Sequence, residues 1–161
     1  MVQFLISLVV SGLFLIVCAR GAGNGGASPS AGGGSIHVTT NRADYRPNDA
    51  IAVTVRNTLS TAIYAIDTQA SCSILSLDYL VNGAWQPSQV AQCPQKRPAR
   101  PVKIDAGATY TATITAGYPG LQQLPFPTGS YRLVLTYTTS PDAFASPNAS
   151  VTVTSAPIQV R

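Results

Sequence analysis

The chain has no glutamate. Its six acids are all aspartate, scattered along the sequence. Paired-carboxylate chemistry of the glycosidase kind has little to work with here. A single histidine, His37, leaves one candidate general base, and a Ser-His-Asp arrangement would have to converge on it. Charge is scarce, at 10% of 161 residues, far below the rough quarter usual in a soluble domain. No stretch carries the amphipathic period of a long helix, so nothing is available to cover a parallel sheet. No Gly-rich loop leads from a strand into a helix, which removes the usual phosphate cradle. The net charge is +4 and the pI near 9.2. The cations are scattered, mostly arginines, and no nucleic-acid motif accompanies them, so nucleic acid is not an expected partner.

There are three cysteines, placed as one and two. Cys18 closes an almost purely apolar run, Phe4 to Val17. That run is short of the ~20 residues a spanning helix needs and suits the core of an export signal. Leu15-Ile16-Val17-Cys18 resembles a bacterial lipobox, in which the cysteine becomes diacylated. Val17 stands where Gly, Ala or Ser is usual, and the leading Met1-Val2-Gln3 has no Lys or Arg. Cleavage after Ala19, giving a soluble secreted protein, is the first alternative. An uncleaved anchor is the second, and Arg20 just beyond the run argues against that orientation. The stretch Ala19 to Ser35 favours the lipid tether, because it is a flexible Gly/Ser-type spacer of the kind a membrane-held domain needs. The expected layout is a signal peptide over 1–17, a tether over 18–34 and one domain over 35–161.

From Ser35 the pattern turns to period two. Ile36 and Val38, then Ile51, Val53 and Val55, alternate with polar or small residues. So do Leu75, Leu77, Tyr79 and Val81; Tyr110, Ala112 and Ile114; and Tyr131, Leu133, Leu135 and Tyr137. Val151 and Val153 begin a last segment ending in Ile158 and Val160, with Pro157 suiting an edge or a bulge. Each run predicts a strand with one face on a core and the other in solvent. Turn residues separate them: Arg46-Pro47-Asn48-Asp49, Asn82-Gly83, Asp105-Ala106-Gly107 and Pro127-Thr128-Gly129. Asn82-Gly83 before Ala84-Trp85 is a strong two-residue hairpin signal. About seven antiparallel strands at this spacing predict an all-β sandwich.

Several of these segments, in order, carry a resemblance. They are Tyr45-Arg46-Pro47-Asn48-Asp49 before Ile51–Asn57, Asn82-Gly83-Ala84-Trp85, Asp105-Ala106-Gly107 before the next strand, and Pro127-Thr128-Gly129-Ser130-Tyr131-Arg132 entering another. Together they resemble the bacterial immunoglobulin-like domain of cell-envelope lipoproteins, related in fold to bacterial intracellular proteinase inhibitors. The resemblance spans roughly Ile36 to Val160. It implies an immunoglobulin-like β-sandwich and leaves the role open, since that fold carries many functions.

In an exported protein, Cys72 and Cys93 are expected to form a disulfide. Closing that loop is worth about 3 kcal/mol in the chain-entropy model. A thiol metal site lacks further ligands, as His37 is far away in sequence. Beyond Cys93, residues 94–103 hold four of the ten cations, Lys96, Arg97, Arg100 and Lys103, among prolines that favour an extended loop. That loop is the candidate contact for an acidic protein, an anionic envelope polymer or lipid headgroups; the competing reading is a solvated loop that keeps a low-charge domain soluble. Tyr79, Tyr110, Tyr131 and Tyr137 fall on expected core faces. Tyr64, Tyr118, Phe126 and Phe144 fall in or near turns, where such rings usually plug the end of a sandwich.

The sequence thus points to a monomeric, non-enzymatic envelope lipoprotein needing no metal or cofactor, with a binding or structural role. Two rival roles are a proteinase inhibitor that presents Lys96 to Arg100, and an accessory domain for envelope polysaccharide.

Overall fold

The computed structural model describes residues 33–67, 73–88, 99–116, 125–142 and 149–161. They form an all-β unit of two sheets. The smaller sheet runs β1 (Ile36–Thr40), β3 (Ile51–Asn57), β8 (Thr109–Ile114), both pairings antiparallel. The larger is organised on β9 (Gly129–Thr138). One side of β9 holds β10 (Val151–Thr154) and β11 (Ile158–Val160); the other holds β5 (Leu75–Val81) and β4 (Ile63–Asp67). Beyond these, β6 (Ala84–Pro87) pairs with β5, β7 (Arg100–Ile104) with β4, and the two-residue β2 (Asp44–Tyr45) with β11.

The period-two runs fold this way because only one face of each can be buried. Ile36 and Val38, Ile51, Val53 and Val55, and Ile114 turn inward from the small sheet. Leu75, Leu77, Tyr131, Leu133, Leu135, Ile158 and Val160 meet them from the large one in a single core. The register aligns like with like, Leu77 opposite Leu133 and Tyr79 opposite Tyr131.

The expected turns are present. Asn82 (φ 51°) and Gly83 (φ 80°) both take the left-handed conformation, as a two-residue hairpin with matching twist requires. Asp49 N–H bonds Arg46 O at 3.0 Å, and Ala108 N–H bonds Asp105 O at 3.0 Å. At Gly129 (φ 148°) a side chain would run into the Tyr79 ring, so glycine there permits a close approach.

Two buried polar groups hold connections in place. Asn57 Nδ2 donates to Thr61 O (2.9 Å), Ile104 O (3.1 Å) and Asp105 O (3.0 Å), while its Oδ1 accepts from Leu59 N (3.0 Å). It ties the β3–β4 turn to the β7–β8 turn. Tyr131 Oη donates to Pro127 O at 2.8 Å, with the ring fully buried against Phe126 and Tyr79. Burial pushes the Tyr131 phenol up to about 12.

Several expectations need correction. There are eleven strand segments among the described residues, not about seven, and the pairing is not all antiparallel, since β2 and β11 run parallel. The strands β4 and β7 lie where none was expected. β7 begins at Arg100, inside the segment expected to be an extended, proline-rich loop, and Pro101 is accommodated because β7 is an edge strand. Tyr64 sits within β4, not in a turn. The last segment is two strands broken around Pro157, and Val151 at its start is 48% exposed and outside the core. Phe126 is buried, 1% exposed, as a plugging ring should be; Tyr118 and Phe144 lie outside the described residues.

Candidate functional site

After β1 the chain turns at Asn41, whose N–H bonds Ala52 O at 3.1 Å, and crosses to the other sheet to form β2 beside β11. The crossing, the Arg46–Asp49 turn and the end of β11 enclose a cleft of about 410 Å³ lined by Arg42, Asp44, Tyr45, Arg46, Asp49 and Arg161. Five of the six are charged, three positive and two negative.

The charges are ordered by one another. Asp49 Oδ2 accepts from Arg46 N at 2.9 Å, closing the turn, and pairs with Arg42 Nη2 at 3.2 Å. The Arg42 guanidinium also lies 4.6 Å from the centre of the Tyr45 ring, a cation–π distance. Tyr45 is itself buried, its hydroxyl bonded to Asn41 Oδ1 at 2.7 Å. Arg42 is therefore held on two sides. Arg161 pairs with Asp44. Arg46 is exposed, and its side chain pairs with no described acid. The side chains of the cleft carry one net positive charge, and a fork-shaped donor set suits a carboxylate or phosphate.

A second groove, about 330 Å³, adjoins it and shares Arg42. It is lined by Val38, Thr39 and Thr40 of β1, by Ala43, and by Ala156, Pro157 and Ile158 around the start of β11. Its lining is mainly apolar.

The residues singled out in the sequence do not build this site. Cys18, Cys72, Cys93, Lys96 and Arg97 lie outside the described residues. Arg100 and Lys103 are on β7, in a strand and not a free loop, and both face acids. Arg100 Nε lies 3.3 Å from Asp67 Oδ2, a carboxylate only 7% exposed at the end of β4. Lys103 Nζ lies 2.7 Å from Asp105 Oδ1, and that hydrogen bond and charge raise its ammonium above the usual lysine range. These two cations are partly spent within the domain.

His37 is exposed on the outer face of β1, with Nε2 2.8 Å from Ser35 Oγ. The pair makes no hydrogen bond or ion pair with a described carboxylate, so no triad is assembled there. Among the described residues no group of three His, Cys, Asp or Glu is placed to hold a metal ion. On the larger sheet, Arg132 bonds Asp78 Oδ2 through Nε and Nη2 (3.0 and 2.9 Å) and stacks over Trp85 at 4.7 Å. That accounts for the tryptophan as a packed surface residue.

Five of the six residues lining the cleft fall between Arg42 and Asp49, but they read as a crossover and a turn, and no motif marks them as a site. Arg46 and Asp49 were visible only as turn residues. Arg42 lies in the crossover, and Arg161 reaches it only through the β2–β11 pairing.

No protein-family model matches the chain, and no curated protein matches it. Solved structures that overlap it in shape include a β-glucosidase from Listeria innocua, as a D270A mutant in complex with laminaribiose, at 13% identity and a TM-score of 0.32. Another is a β-glucosidase from Erythrobacter marinus at 15% identity and a TM-score of 0.33. Each match covers 80% of this chain and 16% of the enzyme. Likenesses of that size carry no functional argument.

Proposed function

We propose that the chain is an exported, non-enzymatic binding or structural module: an immunoglobulin-like β-sandwich held on a flexible tether from a lipid-modified Cys18, on the outer face of a bacterial membrane. It needs no cofactor, and Cys72 and Cys93 form its disulfide. The observation that carries the fold part of this reading is the arrangement around β9. The strands β4, β9 and β11 share one sheet and β1, β3 and β8 the other, as the C, F, G and A, B, E strands do in immunoglobulin-like sandwiches. Tyr131, early in β9, bonds back to a carbonyl four residues upstream, as the tyrosine of a tyrosine corner does in that fold. The export part rests on Phe4 to Cys18 and the spacer after it.

Cell fractionation tests it. In bacteria the full chain should sediment with membranes, and a Cys18→Ser variant should shift to the soluble or unprocessed fraction. Wild-type chain found soluble in the cytoplasm would contradict the proposal.

A further inference from the structure

The charged cleft and the apolar groove are continuous through Arg42, and a third feature runs beside them. β1 pairs with β3 on one side and, among the described residues, with no strand on the other. The groove is lined by three consecutive residues of β1, Val38, Thr39 and Thr40. Successive strand residues point to opposite faces, Val38 inward and Thr39 outward. A groove that touches all three therefore runs along the edge of the strand that, among the described residues, pairs with no other strand. Edge strands are normally guarded by charge or proline. β7 has Arg100, Pro101 and Lys103 along its length, whereas β1 reads Ile36-His37-Val38-Thr39-Thr40, with neither Lys, Arg nor Pro.

We propose that this edge binds the C-terminal end of an extended peptide. The peptide adds a strand to β1, seats a small apolar side chain in the groove against Ala156 and Pro157, and delivers its terminal carboxylate to Arg42 and Arg46. Main-chain hydrogen bonds supply affinity, and the groove and carboxylate supply selectivity, as in strand-addition recognition generally. The side chains lining the cleft carry one excess positive charge, which matches one carboxylate. Among the described residues no acid pairs with the Arg46 side chain, and Arg42 is held in place by Asp49 and Tyr45. This inference rests on the domain being a binding module and names the ligand class that module takes.

The test uses the full chain purified in detergent and an N-terminally dye-labelled hexapeptide, Gly-Thr-Ser-Val-Thr-Val, as free acid and as C-terminal amide. Fluorescence anisotropy should show the acid binding about tenfold more tightly than the amide, the size expected of one charge-assisted contact. Arg46→Ser, at an exposed position, should abolish that preference without altering the melting temperature. Ala156→Phe, which fills the groove, should weaken acid and amide alike. Equal affinity of acid and amide, retention of the preference in Arg46→Ser, or no binding of either peptide would overturn the proposal. Competition by acetate as effective as by unlabelled peptide would also overturn it, reducing the site to a simple carboxylate site. None of these results bears on export or the tether, which the fractionation tests separately.

Discussion

Tyr131 Oη donates a hydrogen bond to the carbonyl oxygen of Pro127 at 2.8 Å, from a ring with no exposed surface. The bond fixes the chain where it enters β9, the strand on which the larger sheet is organised. Tyr131→Phe keeps the buried ring and removes the hydrogen bond to the Pro127 carbonyl, so it should lower unfolding stability by about 1 kcal/mol. Urea unfolding with an unchanged slope would show this.

The same phenol gives a pH signature. Its folded pKa is raised from 10.0 to about 12 by burial. A raised folded value means that folding favours the neutral form. This contribution is complete below pH 10 and is lost as pH rises through about 12. Wild-type stability should fall more steeply over that window than that of Tyr131→Phe. Parallel curves would show that Tyr131 does not titrate as described.

Asn57 makes a sharper case. Its amide donates to three carbonyl oxygens, an arrangement a carboxylate cannot satisfy. Asn57→Ala should cost about 1–3 kcal/mol, chiefly because the buried Ile104 carbonyl loses its donor. Asn57→Asp should cost more at neutral pH and recover in part as the carboxyl protonates in acid. A chemical denaturation series from pH 4 to 7 would check the order.

How much of this was legible in the sequence follows from which residues announce their surroundings. The strands β1, β3, β5, β8 and β9 were readable because their apolar residues recur at every second place. The β5–β6 hairpin was readable because Asn82-Gly83 meets a backbone requirement. β4 and β7 were not. β4 runs Ile63-Tyr64-Ala65-Ile66-Asp67, whose buried face ends in a carboxylate that makes sense only once Arg100 is opposite it. β7 has the composition of a basic loop, and only its edge position lets a proline stand in a strand. The cleft was invisible for a related reason. Ion pairs such as Arg161 with Asp44 are products of the topology, and no local pattern encodes them.

The pairing of Arg100 with Asp67 separates structural from available charge on β7. Arg100→Ser removes one cation from beside a nearly buried carboxylate and should lower stability by about 1 kcal/mol, since the exposed guanidinium is partly screened. Lys103→Ser, which removes an exposed pair, should leave the unfolding midpoint unchanged. Thermal melts of the two single variants would decide it. Equal effects would mean that burial of Asp67 does not set the difference.

The proposed tether, which would hold the domain outside the membrane through Cys18, is tested by the intact mass of the chain extracted from bacterial membranes. A mature protein that begins at Cys18 and carries the added mass of acyl chains, with residues 1–17 removed, is expected. A mature protein that begins at Arg20 with no lipid mass would contradict it.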